Sequence, residues 1–335
     1  MRLATYGDDS IDGFLVVVSQ DQTRAADARS VAPNLLAALR RWSQVEAPLR
    51  ALADDLEKDR ADHSFAFDPK RCLAPLPRAP QWCDGSAFLN HGLLMDVAFN
   101  KPPIPDFDTI PVMYQGASDD FLGSHADVPF VSEADGIDFE GEFGVVVDDV
   151  SMATCAEDTG KHVRLLVQIN DWSLRALGAH ELRTGFGFLQ AKPSTSFAPI
   201  AVTPDELGDA WRDGRLDMVL HVWLNGQLVG AASGREMAFS FPELIAHAAR
   251  TRRLTAGTII GSGTVSNADR SVGSSCLAEV RAIEMIDHGA ARMPFLKFGD
   301  RVTMQARFAD GRAGPFGSID QTVVRAERRA PGTAG

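Results

Sequence analysis

One stretch constrains this chain more than any other: Asp138-Phe139-Glu140-Gly141-Glu142-Phe143-Gly144-Val145-Val146-Val147, where an acidic run turns into an apolar one. Consecutive β-branched residues fit a pleated, covered surface, so Val145 to Val147 reads as a buried strand. If that strand begins at Glu140, the period of two puts Glu140 and Glu142 on one face. Gly141 leaves the opposite face bare, so a neighbouring backbone can come close. Two carboxylates about 7 Å apart on a rigid face repel each other unless something positive sits between them. A hard divalent cation with oxygen ligands fills that role. For an isolated E-x-E, the bland alternative is a solvated strand end, and the rest of the chain has to decide between the two.

The chain has 335 residues, enough for one large domain with an appendage, or two domains, around a sizeable core. With 45% hydrophobic and 23% charged residues, its composition is that of a soluble globular protein. A net charge of −12 argues against nucleic acid or an anionic membrane as partner, since both need a basic patch. No apolar run reaches the roughly 18 residues of a membrane span, and the opening Met1–Asp9 lacks the apolar core of a signal peptide. Cys72, Cys83, Cys155 and Cys276 are widely spaced, with no C-x-x-C pair. That pattern speaks against a disulfide framework or zinc site and makes a reducing cytoplasm the expected location.

Residues 1–72 read as a small N-terminal α+β module that gives support or dimer packing. It has a strand over Gly13–Val18 and a helical region from Ala32 to Lys58, with Pro48 expected to interrupt it. A Pro-rich connector, Pro75 to Pro80, leads to Asp84 and His91, then to a loop over Asn100–Pro111 and to Tyr114. Val163–Asn170 reads as a second buried strand delivering Asp171, and Trp172–His180 as a helix carrying Arg175. Carboxylates at the ends of buried strands are held by a rigid scaffold, which suits a site. Lys192 follows the apolar run Phe186–Ala191.

Thr203-Pro204-Asp205-Glu206 and Ser240-Phe241-Pro242-Glu243 have the form of helix starts, the second opening a helix to about Arg252. Asn225-Gly226 between apolar runs signals a hairpin. Strands are expected over Ile259–Val265, over Cys276–Ile286 with Glu279 on it, and over Arg301–Phe308; residues 326–335 read as a disordered tail. The Gly-x-Gly pairs lack the strand–loop–helix setting of a dinucleotide site.

Taken in order, Asp84 with His91, Tyr114, Glu140-Gly141-Glu142, Asn170-Asp171-Trp172-Ser173-x-Arg175, Lys192 and Gly261-Ser262-Gly263-Thr264 resemble the motifs of fumarylacetoacetate hydrolases. The resemblance covers roughly residues 75–325, and the E-x-E followed by N-D-W-S-x-R is its specific part. Residues 1–70 resemble the small N-terminal domain of the long members only in size and position. The resemblance implies a β-rich α+β fold: a mixed β-sandwich roll catalytic domain over 73–325, the small N-terminal α+β domain, and a homodimer.

It also implies that Asp84, Glu140, Glu142 and Asp171 ligate a divalent metal, Mg²⁺ first and Mn²⁺ or Ca²⁺ as alternatives. His91 would be the water-activating base, oriented by Glu279. Arg175, Lys192, Tyr114 and Thr264 would surround the substrate carboxylates and the developing oxyanion. The implied activity is hydrolytic C–C cleavage of a β-diketo acid, fumarylacetoacetate or an acylpyruvate, in aromatic-compound catabolism. The competing readings are a decarboxylase or isomerase of 2-oxo or 2-hydroxydienoic acids, and a non-catalytic dimer that keeps the metal for structure. Decarboxylase and isomerase branches often carry a glutamate three residues after the histidine; here Leu94 stands there. Ser86 and Gly178 stand where a tyrosine and a glutamine are usual, and both changes concern substrate contact.

That chemistry is physically coherent. Cleaving a β-diketone leaves a carbanion-like group that must be held as an enolate, and a divalent Lewis acid does this. Four carboxylates overneutralise a +2 ion, which favours a hard cation over zinc. Lys192 and Arg175 then offset the surplus charge and hold anionic substrate groups.

Overall fold

A computed structural model describes residues 1–98, 102 and 104–327 of the chain. The loop expected over 100–111 lies partly outside the described residues, and the tail expected over 326–335 almost wholly so. Among the described residues, eleven strands form one large sheet. Ten run in the order Ser64–Ala66, Arg24–Asp27, Phe14–Val18, Arg2–Tyr6, Ile200–Val202, Val163–Asn170, Gly141–Val147, Ile259–Gly261, Trp82–Gly85 and Met113–Gly116, and the eleventh, Ser196–Phe197, pairs with Val163–Asn170 beside Ile200–Val202. All of these neighbours are antiparallel except Ile259–Gly261 with Trp82–Gly85. A second sheet of five strands, Gln227–Ser233, Val219–Leu224, Arg301–Arg307, Ile319–Arg325 and Val128–Phe130, packs on one face of the first.

Side-chain alternation divides the large sheet between two cores. Phe143, Val145, Val147 and Leu166 join Leu220, Val222, Val302 and Met304 of the second sheet. Val146, Leu165, Val167 and Ile169 point the other way, onto Leu35, Leu39, Trp42, Val45 and Leu49. These last residues line one face of the helices Leu35–Leu39 and Trp42–Glu57. Gly141 sits where the two sheets touch: a Cβ there would lie 2.8 Å from Leu220 Cδ2. The close approach expected there is therefore made mainly by side chains of the second sheet.

The fold is the expected β-rich α+β roll with N-terminal strands and helices, but those strands extend the large sheet directly through Arg2–Tyr6 and Ile200–Val202. Pro48 does not interrupt its helix, which runs unbroken from Trp42 to Glu57. The apolar stripe of Trp42, Val45, Leu49 and Leu56 is buried along its whole length and outweighs one missing N–H donor. The Asn225-Gly226 hairpin and the Ser240 capping box form as expected. By contrast, Thr203 opens only a 3₁₀ segment, Pro204–Ala210, because its hydroxyl is taken by the Met1 nitrogen at 2.8 Å instead of capping.

Two expectations near the site are corrected. Ser173–Leu174 forms a short strand, and the helix follows it at Arg175–Thr184. Cys276–Ile286 is not a strand: Leu277–His288 is a helix, and Glu279 lies in its first turn. Its Val and Ile residues suggest a strand, but Leu277, Ala278 and Ala282 are the ones buried. Ala, Leu, Glu, Arg and Met all favour helix, and Asp138 caps the N-terminus from outside the segment. No described helix is long and apolar enough to cross a membrane.

Candidate functional site

Strand register assembles the site. Gly141 pairs with Asn170 and Glu142 with Ile169, so Asp171 emerges beside the two glutamates, its N–H donating to Glu140 O at 2.9 Å. Gly261 pairs with Gly144 on one side and Asp84 on the other, and Asp84 pairs with Tyr114. Five adjacent strands, with Ile259–Gly261 in the middle, thus bring Asp171, Glu142, Asp84 and Tyr114 to one end of the large sheet. Gly263, at φ +75°, donates its N–H to Asp84 Oδ1 at 3.0 Å. Its missing Cβ is required, since one would lie 2.3 Å from Gly85 O.

Asp84, Glu142 and Asp171 are buried, and one oxygen of each lies within 4.8 Å of the others. Neither oxygen of Glu142 has a hydrogen-bond donor among the described residues. Burial pushes Asp84 up to about 8, and the Asp171 charge adds to it. Burial and the Asp84 and Asp171 charges likewise push Glu142 well above the usual carboxylate range. A buried carboxylate without a donor is costly, and three converging ones form an oxygen-rich cage that suits a hard divalent cation.

Glu140 lies beside this trio in a different environment. Lys192 Nζ and Thr264 Oγ1 donate to its Oε2 at 2.9 and 3.0 Å, and Ser173 Oγ donates to Oε1 at 2.8 Å. Arg175 pairs with Oε1 at 2.7 Å. Burial alone would raise this carboxyl, but Lys192 and Arg175 hold it far below the usual range. Lys192 also donates to Asp171 Oδ2 at 2.6 Å, and despite burial these carboxylates keep its ammonium charged. Tyr114 donates to the same Asp171 oxygen at 2.5 Å, and Thr195 to Oδ1 at 2.7 Å.

His91, on the helix Leu89–Ala98, meets Glu279 with Nδ1 and Oε2 2.9 Å apart. The two residues are 188 positions apart in sequence, and Glu279 is buried while His91 is partly open to the cleft. A carboxylate on one ring nitrogen fixes the tautomer and leaves Nε2 free to take a proton. The cleft, of about 470 Å³, is lined by Asp84, His91, Tyr114, Glu140, Arg175, Lys192 and Thr264, with Ser86 at its wall.

Of the residues singled out in the sequence, Asp84, His91, Tyr114, Glu140, Arg175, Lys192 and Thr264 line the cleft, while Glu142, Asp171 and Glu279 are buried behind them and Gly178 lines an adjoining cavity. The structure adds supports that the sequence reading did not single out. Asp138 is fully buried, accepts from Arg175 Nε at 2.9 Å, and accepts the N–H groups of Leu277 and Ala278 at 2.8 and 2.9 Å. Glu181 accepts the N–H groups of Leu189, Gln190 and Ala191 and so holds the loop that delivers Lys192. Ser173 and Thr195 complete the shells of Glu140 and Asp171. Asp138 belongs to the acidic run, but no local spacing reveals that it caps a helix 139 residues away.

Comparison with known proteins settles the lineage. The sequence profile described as Fumarylacetoacetate (FAA) hydrolase C-terminal matches residues 81–324. This chain belongs to the fumarylacetoacetate hydrolase family. A second profile, Fumarylacetoacetase N-terminal domain 2, matches residues 1–78 of this family member. Oxaloacetate tautomerase YisK of Bacillus subtilis is 23% identical over 76% of the chain and 83% of its own length. Fumarylacetoacetase fahA of Aspergillus fumigatus is 23% identical over 73% of the chain and 69% of its own length. Among solved structures, the maleylpyruvate hydrolase of Sphingobium sp. SYK-6 in complex with manganese(II) and pyruvate superposes with a TM-score of 0.66. It is 16% identical, with 98% of this chain and all of that one covered. Like other fumarylacetoacetate hydrolase family members, the chain is an enzyme acting on a small molecule, and its Asp84, Glu142 and Asp171 could hold a metal ion.

Proposed function

We propose that this enzyme is a divalent-metal-dependent hydrolase that cleaves a C–C bond of a β-diketo acid, of the acylpyruvate or fumarylacetoacetate type. One observation carries the reading: beside a carboxylate cage with an undonated glutamate stands a His–Glu pair with a free ring nitrogen at the cleft. Asp84, Glu142 and Asp171, with Glu140 at the margin, would hold the cation, Mg²⁺ first and Mn²⁺ or Ca²⁺ as alternatives. When bound, it would supply the Lewis acidity that stabilises the departing enolate.

The remaining work falls to this chain's own side chains. Lys192 and Arg175 offset the carboxylate charge and draw the anionic substrate in. Tyr114 and Thr264 face the same cleft and are placed to hydrogen-bond substrate oxygens. His91 Nε2 accepts a proton from water that attacks the acyl carbonyl, and Glu279 stabilises the imidazolium formed. His91 then returns the proton to the enolate carbon. Ser86, and Gly178 in the adjoining cavity, leave room beside the cleft, which favours an acylpyruvate over fumarylacetoacetate itself. Cys72, Cys83, Cys155 and Cys276 are all free, in keeping with a reducing cytoplasm, and the proposed setting is aromatic-compound catabolism. Assembly as a homodimer is part of the same proposal.

A second reading, keto–enol isomerisation or decarboxylation of a 2-oxo acid, draws its support from the tautomerase relative. A panel of acylpyruvates, followed by loss of diketone absorbance with product identification, separates the two. Chelation should abolish turnover, and Mg²⁺ or Mn²⁺ should restore it. His91→Ala should lower hydrolysis about 10²–10⁴-fold while a metal-induced rise in Tm persists. An isomerised or decarboxylated product, or full activity in His91→Ala, contradicts the hydrolase reading.

A further inference from the structure

Beyond His91 the cleft opens into a second cavity of about 340 Å³, which shares Arg175, Leu182, Phe188 and Lys192 with the first. Most of its remaining wall is apolar, with Met95, Leu174, Ala179, Ala278 and Phe295 among the lining residues. Gly178 keeps it open: a Cβ there would meet nothing nearer than 3.8 Å. Besides the shared Arg175 and Lys192, a third cation stands in this wall, Arg281, two residues past Glu279 on the same helix.

The Arg281 guanidinium lies over the Phe295 ring, Cζ 4.4 Å from its centroid, and donates one N–H to the Met293 carbonyl. Among the described residues no carboxylate forms an ion pair with it. Glu284, one turn further on, accepts the N–H groups of Arg292 and Met293 at 2.5 and 2.8 Å; those bonds, and to a smaller extent the nearby Arg281 charge, hold its carboxyl below the ordinary value. A guanidinium has five donors in one plane. Packing on the ring fixes that plane and Met293 uses one donor, so the others remain as a fork suited to a carboxylate. In an apolar cavity such a charge attracts an anion more strongly than at an open surface.

We propose that this cavity receives the acyl arm of the substrate and that Arg281 binds a carboxylate at the arm's far end. The preferred substrate class is then an acylpyruvate whose acyl group ends in an acid, with a short carbon chain spanning the apolar wall. This assignment rests on the diketo-acid reading above. It also gives the helix Leu277–His288 two tasks, orienting His91 through Glu279 and measuring the substrate through Arg281.

The test compares succinylpyruvate with 4-methylpentanoylpyruvate, in which an isopropyl group replaces the terminal carboxylate at nearly equal size. Wild-type enzyme should favour the acid by about 10–100-fold in kcat/KM, the difference residing mainly in KM. Arg281→Met should erase that preference by raising KM for the acid while leaving the neutral isostere within about threefold of wild type. Arg281→Lys, which keeps the charge without the planar fork, should fall between them. Turnover of both compounds with no preference in wild type, or an equal loss on both in Arg281→Met, overturns the subsite alone. Turnover of neither by wild-type enzyme overturns the diketo-acid reading and the subsite with it.

Discussion

Asp84 and Glu142 are buried beside Asp171 with too few donors between them, and their protonation links the site to stability. In the unfolded chain Asp84 has its ordinary value of 3.8; in the folded protein burial and the Asp171 charge raise it to about 8. Between those values the metal-free folded state holds a proton that the unfolded state has lost. Stability therefore falls as pH rises through that window, by an amount on the order of a few kcal/mol. A bound divalent cation removes the repulsion and with it the slope. We expect the Tm of metal-free protein to drop as pH is raised from about 5 to about 8. Asp84→Asn should flatten this drop in part, and saturating Mg²⁺ should flatten it further. A metal-free Tm that rises over this range would show that the carboxylates do not share the site described. The ionisable groups here were legible in the sequence because buried strands end in carboxylates, which is unusual. Thr195 was not, and Ser173 stood only inside the N-D-W-S-x-R motif with no role given to it, since a hydroxyl beside a carboxylate leaves no periodic trace.

The helix Leu277–His288 shows where reading by element fails. Its Val280, Ile283 and Ile286 suggest a strand, and the feature that decides for helix, the Asp138 carboxylate on its first amides, comes from 139 residues earlier. The strand Val163–Asn170 was legible to the residue because its apolar run, its flanks and its burial all agree. Asp138 ties Arg175 to the helix that carries Glu279 and Arg281, so its loss should be felt at several places. Asp138→Asn should destabilise by about 2–4 kcal/mol and also lower kcat, because Glu279 no longer holds His91 in place. Ser240→Ala, at the capping box of Phe241–Ala248, should cost about 1 kcal/mol with kcat unchanged. Equal effects on kcat from the two changes, measured beside urea unfolding, would reduce Asp138 to a simple cap.

Across the whole molecule, residues 1–72 do more than append a module. Their strands continue the large sheet, and Leu3, Leu15, Val17, Leu35, Leu39, Trp42 and Leu49 share a core with Val146, Leu165, Val167 and Ile169. The pairing of this region with Ile200–Val202 could not be read from the sequence, since sheet order depends on contacts about 200 residues apart. A chain beginning at Leu73 would expose that face and leave Ile200–Val202 as an edge strand, paired only with Val163–Asn170. It should give insoluble protein or a Tm at least about 15 °C below that of the full chain. A truncated chain with unchanged Tm would mean that the two parts fold independently. The reaction also belongs to the whole assembly, and it can be tested directly in water enriched in the heavy oxygen isotope. An acylpyruvate turned over by metal-loaded enzyme should release an acid whose new carboxylate carries the label, together with pyruvate. Products that contain no newly formed labelled carboxylate, with carbon dioxide or an isomerised keto acid in their place, would contradict hydrolysis.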